Sequence, residues 1–284
     1  MTNDLLIDAG GLLILPRLQV QNVNAISGPL TWGFPSPTAF TGFVHALERR
    51  LRGESDDIER GLGAVGIICH RFHSQTSRPA GRRTQVFSLT RNPVGKDGAP
   101  TALVEEGRAH MEITLVIAVR DELGESDGEQ WAQLAHRVAQ GMRLAGGSIL
   151  PARNGERHAA KWQPLPDFVD GQQKIFSKLR RRLLPGFALV HRADLLSERL
   201  AELRAHRADA TALDALLDLS RLNFEPTTAN PDRPDEVLWQ QRRRPGWLVP
   251  LPIGYAGISP LYPPGQVDNA RDQLTPFRFV ESLY

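Results

Sequence analysis

Residues 11–20 (GLLILPRLQV) are apolar almost without a break, and Pro16 within them predicts a strand that carries a bulge or lies at a sheet edge, because proline cannot donate to a ladder. Residues 21–37 (QNVNAISGPLTWGFPSP) turn polar, with Gly, Pro and two aromatics, Trp32 and Phe34, and predict a loop. Ser36 then stands as an N-cap with Pro37 in the first helical position. Phe40, Phe43, Val44, Leu47 and Leu51 recur along one face of a helix that stops at Gly53. The runs 64–73 (AVGIICHRFH) and 109–119 (AHMEITLVIAV) predict two strands. Between them lies a basic excursion in which 84–90 (TQVFSLT) alternates as one arm of a β-hairpin, followed by the turn chemistry of NPVGKDGAP. A second helix is predicted at about 129–143, ahead of Gly146–Gly147 and the short apolar run Ser148–Pro151, with Gly146 its ordinary C-cap. The order strand, helix, strand, strand, helix, strand predicts an α+β fold. It is the ferredoxin-like or RRM antiparallel sheet, with two helices on one face and the other face free.

Beyond this unit, Phe187–Val190 predicts another strand. Leucines at 195, 196, 200, 203, 213, 216, 217, 219 and 222 predict a helical hairpin over 194–223, turned near Ala208–Thr211. Residues 225–246, rich in Pro, Asp and Arg, form a linker, and 247–262 (WLVPLPIGYAGISPLY) return to strand-like apolar residues. The expected organisation is therefore a body of residues 1–192 and 246–284, interrupted by a helical insertion and linker over 193–245. No internal repeat of fixed period is present.

The 284 residues carry 34 Lys+Arg against 32 Asp+Glu, a near-neutral balance that excludes a wholly basic chromatin-type protein. Along the chain that balance breaks into blocks. Residues 71–110 carry +4 and 148–192 carry +6, whereas 111–147 carry −3 and 193–241 carry −5. A polyanion would find two basic regions and be repelled elsewhere. The positive charge is mainly arginine, which forks onto phosphate and stacks on bases. No stretch approaches the roughly 20 apolar residues of a membrane span, and the acidic start lacks a signal-peptide n-region, so the expected address is the cytoplasm. A single cysteine, Cys69, excludes an intrachain disulfide and a multi-cysteine zinc site.

Enzymatic motifs are weak. Gly124–Glu125–Ser126–Asp127–Gly128 fits the nucleophile-elbow spacing, but carboxylates on both sides of Ser126 oppose the oxyanion such a turn must stabilise. There is no Walker loop, H-E-x-x-H or Rossmann glycine pattern. The eight histidines are scattered; His70 and His73, three apart on a strand, are expected on opposite faces, so neither a metal nor a cofactor is expected.

Nucleic-acid chemistry is better represented. Arg17, Asn22 and Asn24 lie beside Trp32 and Phe34, and amides read the edges of unpaired bases while rings stack on their faces. The competing explanation is a polar turn whose aromatics enter the core. Arg71, His73, Arg78, Arg82, Arg83 and Arg91 supply phosphate contacts, with Pro79–Arg83 expected as a hairpin tip. Gly146, Gly147 and Ser148 would let a nucleic-acid backbone approach main-chain N–H groups. Lys174, Lys178, Arg180, Arg181 and Arg182 form the densest cationic stretch; if helical, 174, 178, 181 and 182 share a face that suits RNA or an acidic protein surface.

The stretches LLILPRLQVQNVNAISGPLTWGFPSPTAFTGFVHAL, GIICHRF, TRNP, VEEGRAHMEI, GMRLAGGSILP, RRLLPGFALV and RPGWLVPLPIGY resemble the small, RAMP-superfamily subunit of the type I-F CRISPR surveillance (Csy, or Cascade) complex, from about residue 11 to the C-terminus. The resemblance implies a non-catalytic protein that binds the 5′ handle of the guide RNA (crRNA). It further implies pairing with the large subunit at the tail of the complex, contact with the first helical backbone subunit, and only indirect engagement of target DNA. The helical insertion resembles a thumb-like element, and members of that family continue past the position of Tyr284. Carried over by position, Arg17, Asn22, Asn24, Trp32, Phe34, Arg71, Arg78, Arg82, Arg83, Gly146 and Gly147 are the candidates for handle contact. The alternative is an RNA-processing endonuclease of the same superfamily that uses His73.

Overall fold

In the computed structural model the described residues are 9–28, 31–54, 58–81, 85–91, 93–101, 103–190, 192–220, 224–227 and 238–241. The chain divides into two compact units, Met1–Leu189 and Val190–Tyr284. The expected return of 246–284 to the body lies outside the described residues.

The first unit begins with β1 (Gly11–Asn24), the small pair β2 (Ile26–Gly28) and β3 (Thr31–Trp32), and α1 (Pro37–Leu51). Next come β4 (Leu62–Ser74), the excursion strands β5 (Thr76–Ser77), β6 (Val86–Phe87), β7 (Leu89–Arg91) and β8 (Leu103–Glu105), then β9 (Arg108–Val119). It continues through α2 (Glu125–Gln140), β10 (Arg143–Leu144), β11 (Gly147–Ile149), β12 (Lys161–Pro164), α3 (Val169–Leu183) and β13 (Phe187–Ala188). The main sheet runs β10-β11-β1-β9-β4-β13, with β12 paired to the other end of β1, and its pairs are antiparallel. Strands β11, β1, β9 and β4, with α1 and α2 as the two crossovers, make the ferredoxin-like α+β arrangement.

Several local expectations change. Residues 21–28 extend β1 and form β2, so the polar loop is shorter than its composition suggests. The second helix occupies 125–140 and places Gly124–Gly128 in its first turn, so the elbow-like spacing is an acidic helix start; Gly141, not Gly146, is the C-cap. Ala145 (φ 49°) and Gly146 (φ 76°) are the two central residues of the β10–β11 hairpin, where paired positive φ values match the twist of the strands.

One face of the sheet carries the larger core, in which Leu13, Leu15, Leu18, Val20 and Val23 of β1 meet Phe40, Phe43 and Leu47 of α1 and Trp131, Ala135 and Ala139 of α2. The other face, expected to be free, is partly covered: α3 lays Ile175, Phe176, Leu179 and Leu183 over Leu12, Ile14, Val116 and Ala118. An amphipathic helix buries its stripe wherever apolar surface is available, and only one end of this face is apolar.

Three bulges decide what the remaining part presents. The core residues of β1 are spaced 13, 15, 18, 20, 23, and the register against β9 shifts at Leu15/Leu18 and Val20/Val23. A third shift falls at Cys69/Arg71 in β4, between Cys69 and Phe72, which both pack on the same core. Each bulge sets two consecutive residues on the open face: Pro16–Arg17, Gln21–Asn22 and His70–Arg71. The expectation that His70 and His73 point to opposite faces fails for this reason, since the extra residue restores His73 to the side of His70.

Trp162 closes one end of the core, edge-on to Trp131 at 6.1 Å, over Gly11 and Gly128. A Cβ at Gly128 would lie 2.2 Å from the indole. Gly128→Ala is therefore expected to cost about 1–3 kcal/mol by overpacking, read as a lower urea midpoint with an unchanged m-value.

In the second unit α4 (Ala193–His206) and α5 (Ala212–Ser220) form the expected helical hairpin, followed by β14 (Phe224–Thr227) paired with β15 (Leu238–Gln241). Thr211 and Asp214 exchange hydrogen bonds as a capping box at the start of α5, which fixes the turn where the sequence placed it. Arg199 bridges α4 to Asp218 of α5 at 2.6 Å.

Candidate nucleic-acid interface

Where α3 ends, the open face changes from aliphatic to polar. β9 contributes Glu112 and Thr114 in the alternation that gives Val116 and Ala118 farther along, while the bulges contribute Arg17, His70 and Arg71. Arg17 Nη1 donates to Glu112 Oε1 at 2.5 Å, with both side chains mostly buried. The Arg17 backbone, at φ 47°, donates its N–H to Thr114 Oγ1 at 3.0 Å. His70 Nδ1 lies 2.7 Å from the Pro185 carbonyl and Nε2 lies 2.8 Å from Thr114 Oγ1. A carbonyl only accepts, so Nδ1 carries the proton; Thr114 donates its hydroxyl to Nε2 while accepting from Arg17.

The electrostatics agree with that assignment. Burial holds the His70 pKa below its ordinary value against the pull of the Pro185 carbonyl, and Arg17 adds to the lowering, so the ring is neutral at pH 7. Burial alone would raise the Glu112 carboxyl, but the Arg17 hydrogen bond and the charges of Arg17 and Arg71 outweigh it, and its pKa falls below the usual carboxylate range. Burial pushes the Cys69 thiol up to about 11, which leaves it without a reactive thiolate at neutral pH.

The segment between β11 and β12 walls this floor with cations. Arg17, His70, Arg71, Glu112, Arg153, Arg157, His158 and Pro185 enclose a cleft of about 340 Å³. A smaller pocket of about 60 Å³ adjoins it, bringing Lys161 of β12 and Arg182 of α3 beside Arg17 and Arg157. With its amide oxygen turned to the guanidinium, Gln19 accepts from Arg153 at 2.8 and 3.0 Å and holds that side chain over the sheet. Among the described residues Glu112, neutralised by Arg17, is the one carboxylate lining the larger cleft, and the net charge of that lining is positive. Guanidiniums at several heights around an open groove suit a chain of phosphates better than a small closed ligand.

Two of the sequence-expected residues, Arg17 and Arg71, line the cleft, and Arg182 lines its neighbour. Ser148 pairs with Gln21 on one side and Arg143 on the other, which extends the same face. His73 stands opposite His110 on that face and is exposed. Asn22 is held internally: its Oδ1 accepts from Gln75 at 2.7 Å and its N–H donates to His110 Nδ1 at 3.3 Å. Asn24 closes a local turn with the N–H and C=O of Ile26.

The two aromatics part company. Phe34 stacks on Phe40 at 5.5 Å and packs against the core, whereas Trp32 is 47% exposed, edge-on to Phe87 at 4.8 Å. Gly147 serves packing, because a Cβ there would lie 2.5 Å from the Gln21 carbonyl; Gly146 faces open space. Arg78, Arg180 and Arg181 are exposed away from the cleft lining, and α3 does present Lys174, Lys178, Arg181 and Arg182 outward. Arg82 and Arg83 lie outside the described residues.

Gln19, Glu112, Arg153, Arg157 and His158 complete the cleft without having been singled out by sequence, and His70, weighed there only as a metal ligand, joins them. The +6 block over 148–192 contained the signal for Arg153 and Arg157, but their convergence on Arg17 and Arg71 requires the fold.

No helix among the described residues is long and apolar enough to cross a membrane. The family model for CRISPR-associated protein Csy2 matches residues 13–284. The CRISPR-associated protein Csy2 of Pseudomonas aeruginosa (strain UCBPP-PA14) is 54% identical over 283 residues, covering 98% of this chain and 86% of the relative. On both grounds, the chain belongs to the Csy2 family of CRISPR-associated proteins.

Proposed function

We propose that this protein is a non-catalytic RNA-binding component of the type I-F CRISPR surveillance (Csy) complex. Its RAMP-type body grips the 5′ handle of the crRNA across the open half of the sheet. The large subunit and the first helical backbone subunit are its protein partners, and target DNA is recognised through pairing with the guide. The observation that carries this proposal is the cleft in which Arg71, Arg153 and Arg157 converge around an Arg17 already fixed by Glu112. The nuclease alternative has less support. Both ring nitrogens of His70 are engaged, and among the described residues His73 has no hydrogen-bonded acid or base beside it to relay a proton.

Arg153→Glu with Arg157→Glu tests this proposal, since both side chains are exposed. The double variant is expected to keep its fold and lose at least about tenfold in affinity for guide RNA. Its log–log salt slope should flatten by about 1.4, or roughly 0.7 for each lost phosphate contact on a single strand. Unchanged affinity and slope would remove the cleft from the RNA path, and metal-independent cleavage of repeat RNA that vanishes in His73→Ala would replace the proposal with the nuclease.

A further inference from the structure

Glu112 is an unexpected residue for a cleft that binds phosphate alone. Its carboxylate lies on the floor beneath Arg71, Arg153, Arg157 and His158, and keeps 11% side-chain exposure there. One oxygen, Oε1, accepts from Arg17, and among the described residues no hydrogen bond reaches Oε2. A phosphate arriving at Arg71 and Arg157 would meet this second anion. A neutral residue at 112 would serve a phosphate better. A ligand that is anionic at one end and rich in donors at the other reconciles both features, and a nucleotide within an RNA strand is such a ligand.

The floor also narrows which base can enter. An ionised carboxylate only accepts hydrogen bonds, so the facing edge must donate. Guanine alone among the four RNA bases carries two adjacent donors on its Watson–Crick edge, N1–H and the 2-amino group. Adenine and cytosine set one exocyclic donor beside a ring lone pair, and uracil sets its single donor between two carbonyls. Each of these three would turn a lone pair toward the carboxylate. The neighbouring Thr114 and His70 already donate and accept within their own chain, which leaves Glu112, among the described residues, as the side-chain acceptor on the floor.

The geometry points to a guanosine pocket: one unpaired guanosine of the guide's 5′ segment, its Watson–Crick edge on Glu112 and its flanking phosphates on Arg71, Arg153 and Arg157. This rests on the RNA-binding function proposed above and adds base identity to it. Arg17 acts as a positioning residue that keeps the carboxylate ionised and aimed.

The test uses the full chain and a labelled short oligoadenylate in which a single guanosine is walked through every position, with binding read by anisotropy. One position is expected to bind about tenfold or more tightly than all-adenosine RNA, the range of one good two-point base contact. Inosine at that position, which lacks the 2-amino group, should lose most of the gain. In Glu112→Gln the guanosine-containing and all-adenosine RNAs should bind alike, whatever the overall affinity of the variant. RNA binding without any guanosine preference, or inosine equal to guanosine, overturns the pocket but leaves the RNA-binding function standing; absence of any RNA binding overturns that function itself. If Glu112→Gln weakens every RNA by the same factor and so keeps the guanosine preference, residue 112 is structural and the pocket is refuted. If that variant does not fold, the inosine comparison on the unaltered chain decides. Displacement of the RNA by equimolar GMP would show that a free nucleotide is the ligand and would overturn the assignment to the guide.

Discussion

Glu112→Ala is expected to destabilise the first unit by about 3–5 kcal/mol, the range for leaving one charge of a buried pair unpaired. Arg17 cannot escape the loss by deprotonating, because a guanidinium keeps its proton in proteins. Nor can it swing freely into water: its backbone is held at φ 47° by the Thr114 hydrogen bond, and Arg71 and Arg157 repel it from the cleft side. The loss is a large fraction of the roughly 5–15 kcal/mol that holds a domain folded. Arg17→Ala combined with Glu112→Ala should cost clearly less than the two single changes together, and strict additivity would show that the ion pair contributes nothing. The same group sets an acid limit. Its folded pKa lies below the ordinary 4.5, so the Glu112 contribution is fully present above that value and disappears as pH falls through the lower folded one. His70 and His136 act at higher pH: burial depresses both below 6.5, so the unfolded chain binds protons that the folded chain refuses, and stability declines as pH drops below about 6.5. Urea midpoints recorded from pH 7 to pH 3 should show two stages, and Glu112→Gln should shrink the second.

How far these features could be read from sequence depended on whether local rules determined them. Ser36, Pro37 and the apolar period after them placed the start of α1 to the residue and its end within two, because capping and amphipathicity are local. Pro16 signalled the first bulge for an equally local reason, since it has no N–H for the ladder. The strand from 21 onward was hidden because Asn22, Asn24 and Gly28 carry turn chemistry, although Leu18, Val20, Val23 and Ala25 keep a 2-3-2 core spacing that a bulged strand produces. The face that α3 covers was not legible: its apolar stripe is plain, but which sheet surface receives it depends on aliphatic residues of β1 and β9 far away in sequence. Arg17 and Arg71 stood out by charge, whereas Glu112 did not, because its pairing with Arg17 joins strands 95 positions apart and leaves no local mark. Trp32 and Phe34 were indistinguishable by type, and only packing separates the exposed ring from the core ring.

The bulges yield the second large expectation, a contrast between two single-residue deletions in β1. In the native register Val20 faces Met111 and Val23 faces Ala109, so Gln21 and Asn22 together oppose His110. Deleting Asn22 leaves one residue opposite one and keeps every core side chain inward. The loss is the hydrogen bonds to Gln75 and His110 and a long one from Arg108, about 1–3 kcal/mol, partly offset by removing a non-glycine residue at φ 57°. Deleting Gln19 instead moves Val20 opposite Glu112 on the open face and drives Gln21 into the core opposite Met111, after which the bulge absorbs the slip and Val23 returns to its place. Exposing a buried valine at about 1.5–3 kcal/mol and burying an amide at about 1–3 kcal/mol gives a cost of roughly 2.5–6 kcal/mol. Chemical denaturation of the two variants compares them directly. Equal destabilisation would mean that the bulge is required by the core. The expected outcome, a stable chain lacking Asn22 that binds guide RNA more weakly, would assign the bulge to the open face, where a second consecutive side chain is gained only by breaking the alternation of the strand.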